Sequence, residues 1–227
     1  MSFTGTGPPV AEHGVALVER VIASVRADPH RPVSTWAYGY ACPPLPAGPW
    51  VHGEPDPMPA DLLATAVFPS GRPLPPSLRR WLAFDTGMLR HFGWLDSGYR
   101  FTPSTLGRLT RARYGDTWAG FFEQASMGAR FDECFLLPGG ADSCRVLVTG
   151  AADEYGEYPV LALDVDDIPC AELMYPGFDV FLADTAGLLE KPEARGYSAL
   201  AEDPRYRARM STQARRYFDG RLHEEAW

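Results

Sequence analysis

The chain has 227 residues, 45% hydrophobic and 22% charged, a composition typical of a globular protein with a core rather than of a disordered chain. Its formal net charge of −8 argues against a nucleic-acid-binding protein, which needs a basic face, and favours attraction to basic proteins. The N-terminus has no basic segment, and no uncharged apolar stretch reaches the ~18 residues that span a bilayer. The sequence therefore predicts a cytoplasmic protein without a membrane partner.

The first part of the chain, residues 1–59, is predicted to be a helix and a proline-rich extension that pack on the core. Apolar residues at i, i+3 and i+4 spacing predict a helix over Ala11–Ala27. Its expected buried face consists of Val15, Val18, Val21, Ile22 and Val25. Residues 28–59 are interrupted by proline, and Trp36 and Trp50 indicate packing on the core. The alternative for this segment is a proline-rich ligand for another domain.

Short helices are predicted to follow, over Asp61–Phe68 and Leu74–Gly87, with Pro76 in the first turn of the second. Asp116 is expected to cap a further helix that reaches Ser126. Residues 88–132 otherwise mix short helices with loops.

Strands are predicted in the middle of the chain. A hairpin joins Cys134–Leu137 to Cys144–Thr149, and Tyr158–Asp164 and Ala171–Met174 continue a meander. Helices follow at Phe178–Leu189 and from Asp203 to about Leu222. Because the strands are grouped between helices, the sequence predicts an α+β fold. We expect a mixed, mainly antiparallel sheet flanked by helices, with N-terminal and C-terminal helical extensions. The predicted domain spans residues 60–190, and residues 191–227 form the C-terminal helix.

The stretch from Val146 to Glu190 contains ten carboxylates and no lysine or arginine. These carboxylates are Asp153, Glu154, Glu157, Asp164, Asp166, Asp167, Glu172, Asp179, Asp184 and Glu190. Such a stretch must face solvent, a cation or a basic partner. We predict that a basic protein binds a surface formed by Asp153, Glu154, Glu157, Asp166 and Asp167. The alternative is a solvated acidic face that contributes to solubility only.

Few residues form a pattern that indicates catalysis. The five histidines and four cysteines lack the spacing of a zinc site, so the cysteines are interpreted as free thiols that are mostly buried, and no metal or other cofactor is predicted. A Cys–His pair that meets only in space remains an alternative. Asp164 and Asp166 close an apolar strand as Asp-x-Asp, which in a metal-dependent glycosyl- or nucleotidyl-transferase binds Mg²⁺ or Mn²⁺ and a nucleotide diphosphate. The other interpretation is a solvated turn.

Three segments together resemble the SMI1/KNR4 (SUKH) superfamily. They are Ser-Gly-Arg-Pro-Leu-Pro-Pro followed by a helix and Gly at 70–87, Glu-Tyr-Pro-Val-Leu-Ala-Leu-Asp-Val-Asp-Asp at 157–167, and Phe-Asp-Val-Phe-Leu at 178–182. The resemblance covers residues 60–190, although Thr86 stands where the family has asparagine and residues 88–132 are longer than expected. It implies an α+β fold without catalytic residues. Bacterial members are similar to immunity proteins that neutralise toxins, often nucleases. We therefore expect a non-enzymatic protein-binding module that neutralises a basic toxin. A second copy of the chain, in a homodimer, is an alternative partner.

Overall fold

The computed structural model describes residues 13–35, 45–124, 126–139, 143–165, 169–189 and 196–226. The α-helices are α1 Gly14–Ala27, α2 Ala60–Thr65, α3 Pro76–Leu82, α4 Gly87–His91, α5 Leu106–Tyr114, α6 Asp116–Gln124, α7 Ser126–Arg130, α8 Phe178–Thr185 and α9 Arg207–Tyr217, with a 3₁₀ helix at Tyr197–Ala201. The strands are β1 Pro32–Thr35, β2 Leu45–Pro49, β3 Cys134–Leu137, β4 Ser143–Val148, β5 Val160–Asp164, β6 Cys170–Tyr175 and β7 His223–Glu225.

The main sheet has five strands in the order β3-β4-β5-β6-β7, and each neighbouring pair is antiparallel. The predicted hairpin is present, with Cys134 opposite Val148 and Leu137 opposite Arg145. Residues Val160 to Leu163 of β5 are all buried, and since successive side chains point to opposite faces, both faces of the sheet are covered there. A second, two-stranded antiparallel sheet joins β1 to β2. The predicted α+β fold is confirmed.

The helix α1 contacts α3 and α8, which places the N-terminal helix on the core. Its buried apolar residues are Leu17, Val18, Val21, Ile22 and Val25. Val15 is 40% exposed, so the prediction that it belongs to the buried face is wrong. With ~100° of rotation per residue, Val15 lies about 90° from the centre of that face.

Two further predictions can be compared with this core. Trp50 is fully buried, as its predicted packing role requires, whereas Trp36 lies outside the described residues. Cys134, Cys144 and Cys170 are free thiols, two of them buried, and Cys42 is outside the described part. Among the described residues, no helix combines the length and apolar character needed to cross a bilayer.

The C-terminal segment contributes to the main sheet as well as forming a helix. The predicted helix ends earlier than expected, at Tyr217, and β7 then pairs with β6. One side of α9 is buried and includes two polar residues, Arg209 and Gln213. The spacing of these two residues, i and i+4, puts both side chains on the same face of the helix. This face brings a positive charge into the interior.

Candidate functional site

A buried ionic cluster lies where the N-terminal helix, the acidic stretch and α9 meet. The Arg209 side chain is 2% exposed and donates from Nε to Asp153 Oδ2 over 2.6 Å. Its two terminal nitrogens donate to the two carboxylate oxygens of Asp179, at 2.7 and 3.0 Å. Asp179 Oδ2 also accepts the backbone N–H of Gly14 at 2.7 Å. One guanidinium thus joins α9, α8, the start of α1 and the loop before β5.

The segment 153–157 is a tight turn. It is stabilised by Asp153 Oδ1, the carboxylate oxygen that does not contact Arg209. Asp153 Oδ1 accepts the backbone N–H groups of Tyr155 and Glu157, at 2.9 and 3.0 Å. The backbone N–H of Asp153 donates to the carbonyl of Glu157, which closes the turn. Gly156 adopts φ of 77°, a left-handed conformation that glycine tolerates best. The turn therefore fixes Tyr155 at its tip.

Glu157 is a third carboxylate of this cluster, and it is fully buried. Its Oε1 accepts the backbone N–H of Ser77 at 3.0 Å, and Oε2 shares a short hydrogen bond with the Ser77 hydroxyl. Burial, and then the negative charge of Asp179, raise the pKa of Glu157 to about 8. The raised pKa favours the uncharged form of Glu157, and the Ser77 hydroxyl donates to its Oε2. Asp153 and Asp179 are then the two charged carboxylates that contact the Arg209 guanidinium.

The cluster reaches the surface through His13 and Tyr155. Arg209 Nη1 lies 3.2 Å from His13 Nδ1, and since a guanidinium only donates, this nitrogen must accept. Burial, and then the positive charge of Arg209, lower the pKa of His13, which agrees with a neutral ring. The rings of His13 and Tyr155 are 4.8 Å apart, and Arg209 Cζ lies 4.8 Å from the centre of the Tyr155 ring. Tyr155 is nevertheless 41% exposed.

We call the exposed residues Val15, Glu154 and Tyr155 the Tyr155 surface. Val15 follows Gly14, whose position is next to the Tyr155 ring: a Cβ added there would lie 3.8 Å from Tyr155 Cδ1. Val15 and Tyr155 are both large apolar side chains exposed by about the same fraction, 40% and 41%. Glu154 adds an exposed carboxylate. The buried cluster thus supports an aromatic and acidic surface of defined geometry.

The structure corrects the predicted partner-binding surface. Asp153 and Glu157 are 7% and 0% exposed, so the prediction that they lie on that surface is wrong. Both carboxylates have hydrogen-bond partners inside the protein: Arg209 donates to Asp153, and Ser77 donates to Glu157. Glu154 is exposed as predicted, and Asp166 and Asp167 lie outside the described residues.

Other carboxylates of the acidic stretch also have internal hydrogen-bond partners. Asp184 accepts the Tyr175 hydroxyl at 2.6 Å. Glu172 accepts the backbone N–H and the hydroxyl of Ser198, at 2.9 and 2.5 Å. The stretch therefore uses several of its charges within the fold rather than towards a partner.

The predicted Asp-x-Asp pair can be placed only in part. Asp164 ends β5, opposite Ser143 and Cys170, and is partly exposed. Asp166 is outside the described residues. Within the described ranges, no three His, Cys, Asp or Glu side chains come together in a way that would hold a metal ion.

Comparison with known proteins informs the fold alone. No family model matches the chain. No curated protein matches it either. A solved structure of an uncharacterized protein from Salmonella enterica serovar typhimurium is similar, with a TM-score of 0.54 and 11% identity. The likeness covers 95% of this chain and 97% of that one, so the same arrangement of elements extends over nearly the whole protein.

The sequence prediction missed Arg209, Asp179, His13 and Tyr155 as members of one site. A signal for the first two was present, because a stretch of ten carboxylates without a basic residue precedes an arginine-rich helix. Complementary charge predicts that the two segments meet. It does not predict which arginine is buried, since five arginines lie between 205 and 216.

Proposed function

We propose that the protein is a non-enzymatic protein-binding module of the SMI1/KNR4 type, an immunity protein that neutralises a basic, nuclease-like toxin. The observation that carries the proposal is the exposed Tyr155 side chain, fixed in place by the buried cluster. The resemblance of residues 60–190 to SMI1/KNR4 proteins supports the same class.

The contacts that hold the Tyr155 ring support protein binding. Tyrosine is enriched among the residues that dominate binding energy at protein interfaces. A tyrosine loses little conformational entropy on binding when neighbours already restrict its rotamer. Tyr155 meets this condition because His13 and Arg209 contact its ring and Asp153 caps its turn.

The charge of the molecule supports a basic partner. The formal net charge is −8, and Glu154 adds a local negative charge beside Tyr155. A nuclease surface that grips phosphate is basic, so an acidic inhibitor is attracted to it over long distances. We expect the charges to accelerate association, and the aromatic contact to slow dissociation.

The alternative is a metal-dependent transferase that uses Asp164 and Asp166. The main sheet is an antiparallel meander in the described residues, unlike the alternating strands and helices that a nucleotide-sugar fold uses. Thermal melting with Mn²⁺ and a nucleotide sugar tests this alternative. A ligand at 100 times its Kd stabilises by about 2.7 kcal/mol. A gain in stability of that size in the wild type that is absent in Asp164→Ala would favour the enzyme and contradict the binding module.

The binding module is tested by capture and kinetics. The tagged protein is used to capture a partner from the source organism, and the purified partner is assayed for nuclease or growth-arresting activity with and without this protein. We expect inhibition at equimolar amounts. Tyr155→Ala should weaken binding at least about tenfold, a loss typical of a central aromatic contact. Glu154→Gln should slow association at low salt and have no effect at high salt.

Phe121→Ala is the matched control, because Phe121 is also an exposed aromatic residue, 37% exposed, but belongs to α6. It should bind as the wild type does. A captured protein that has no toxic activity, or whose activity is not inhibited, contradicts the immunity function. Equal binding by Tyr155→Ala and Phe121→Ala would instead show that the partner does not bind the Tyr155 surface. The partner would then bind another face of the protein.

A further inference from the structure

A groove of about 400 Å³ lies beside the outer edge of β3, the strand at the opposite end of the main sheet from β7. Phe92, Leu109 and Phe135 contribute to its apolar wall. Phe135 packs against the fully buried Trp94, with ring centroids 4.8 Å apart. Small-molecule sites of such a size are mostly apolar and contain a few polar groups that select the ligand. The polar groups of this groove therefore decide what it can bind.

The edge of β3 contributes one backbone donor to the groove. The backbone N–H of Cys134 points away from β4, since it donates to the Ser104 carbonyl at 3.3 Å. Backbone groups of successive residues point to opposite edges of a strand, so Leu136 also directs its N–H and carbonyl outwards. Its carbonyl accepts the indole N–H of Trp94, which agrees with this direction. The Leu136 N–H has no acceptor among the described residues, and Leu136 lines the groove.

Four backbone carbonyls of residues that line the groove already accept hydrogen bonds. Two of them, those of Ser104 and Leu136, belong to the contacts just described. The others are the Trp94 carbonyl, which accepts a backbone N–H at 2.8 Å, and the Pro103 carbonyl, which accepts Arg108 Nη1 at 3.0 Å. The groups left for a ligand are thus mainly donors. A carboxylate only accepts hydrogen bonds, so this set of groups favours a carboxylate over an amine.

Arg108 supplies a positive charge at the groove. It is exposed near the start of α5, and its contact with the preceding loop uses one N–H of the guanidinium. Arg108 has no ion pair in the described ranges, unlike Arg111 of the same helix, which contacts both Asp116 and Glu123. Arg113 also lines the groove but interacts within its own chain. The remaining N–H groups of Arg108 can therefore bind a carboxylate through two parallel hydrogen bonds.

We propose that the groove beside β3 binds a small carboxylic acid with an apolar body. The carboxylate accepts hydrogen bonds from Arg108 and from the Leu136 N–H. The apolar body packs against Phe92, Leu109 and Phe135. The groove shares no residue with the Tyr155 surface, so the binding of a small acid is independent of the proposed function.

A titration followed by ¹H–¹⁵N NMR tests the site. The probe is phenylacetate, compared with its uncharged amide and with acetate, which lacks the apolar body. We expect the Leu136 N–H signal to shift as phenylacetate binds, with a Kd of about 1 mM or lower. The amide and acetate should each bind at least about tenfold more weakly, because each loses one of the two kinds of contact. An unshifted Leu136 signal up to roughly 10 mM phenylacetate overturns the proposal, as does an amide that binds as tightly as the acid.

Substitutions on α5 test whether phenylacetate occupies the groove. Arg108→Gln should weaken phenylacetate binding at least about fivefold and leave binding of the amide unchanged. Ala112→Phe, on the same face of α5, should fill the groove and abolish binding. The matched controls on α9 are Arg207→Gln, at an exposed arginine that also donates to a backbone carbonyl, and Ala208→Phe, at an exposed alanine. Both controls should bind as the wild type does. Undiminished binding by either α5 variant overturns the proposal, and the NMR spectrum of each variant shows whether it is folded.

A carboxylate beside an apolar side chain also occurs at the C-terminus of a protein. A tetrapeptide that ends in phenylalanine separates this source from a free acid. We expect the tetrapeptide to bind no more tightly than phenylacetate, because the groove holds only a small apolar body. A tetrapeptide that binds at least about tenfold more tightly than phenylacetate would overturn the assignment to a small acid and indicate that the groove binds a protein C-terminus.

Discussion

Replacing Glu157 by glutamine tests whether the buried cluster contains a neutral carboxyl group. Glutamine has nearly the same shape as protonated glutamic acid and stays neutral at every pH. Its carbonyl accepts the Ser77 backbone N–H, and its amide N–H₂ donates to the Ser77 hydroxyl, so both contacts are kept and only the direction of the second hydrogen bond is reversed. The variant therefore removes the titration of Glu157 while the packing stays unchanged.

The expected pH dependence follows from the two pKa values of Glu157. Its ordinary pKa is 4.5, and burial followed by the charge of Asp179 raises the folded-state pKa to about 8. Between these values the folded state binds one proton more than the unfolded state, so the free energy of unfolding falls as pH rises. The slope of ~1.4 kcal/mol per pH unit accumulates to an upper figure of roughly 5 kcal/mol by about pH 8. This contribution is fully present below about pH 4.5 and lost above about pH 8.

Urea unfolding of both proteins, followed by circular dichroism from about pH 5 to about pH 9, measures this difference. Effects of all other titrating groups common to both proteins cancel in the difference between the two free energies of unfolding. We expect Glu157→Gln to gain stability over the wild type as pH rises to about pH 8, and the difference to level off above that pH. A difference that stays constant across the range would refute the reasoning, because Glu157 would then carry the same charge in the folded and unfolded states.

Four further changes probe the same region, each measured by urea unfolding at neutral pH. Arg209→Met leaves the buried carboxylates of Asp153 and Asp179 without their cation and should lower the free energy of unfolding by about 3–5 kcal/mol. An unchanged free energy of unfolding would mean that solvent reaches these carboxylates. Gly177→Ala should cost about 1–3 kcal/mol, since its Cβ would come within 2.5 Å of Arg209 Nη2. Phe181→Ala, at a residue 1% exposed, should cost roughly 3–5 kcal/mol, and parental stability would contradict its core role. Asp153→Asn should destabilise strongly, whereas its exposed neighbour Glu154→Gln should stay within about 0.5 kcal/mol; equal effects would contradict the burial difference.

Much of the secondary structure could be predicted from local patterns. The apolar periodicity identified α1, and Asp28-Pro29 marked its end at Ala27. The apolar run of β5 and the two flanks of the β3–β4 hairpin were also predicted within a few residues. These elements follow from local sequence because an apolar face recurs with the period of the helix or strand that buries it. The strand β7 was missed, since its three polar residues carry no such pattern.

The acidic stretch shows what could not be predicted from the sequence alone. Its composition determined that ten carboxylates must be satisfied somewhere, and that the chain is acidic overall. It could not distinguish a buried carboxylate from an exposed one: Asp153 and Glu154 are neighbours, yet the first contacts Arg209 in the interior and the second faces solvent. Arg209 is 56 residues from Asp153 in the chain, and only the packing of α9 brings them together.

Local sequence thus determined most of the elements, because periodicity and turn residues act over a few positions. Tertiary structure decided which charges are neutralised inside the protein and which remain for a partner. The physical reason is that the free energy of a carboxylate depends on the groups and solvent around it, and those neighbours come from distant parts of the chain.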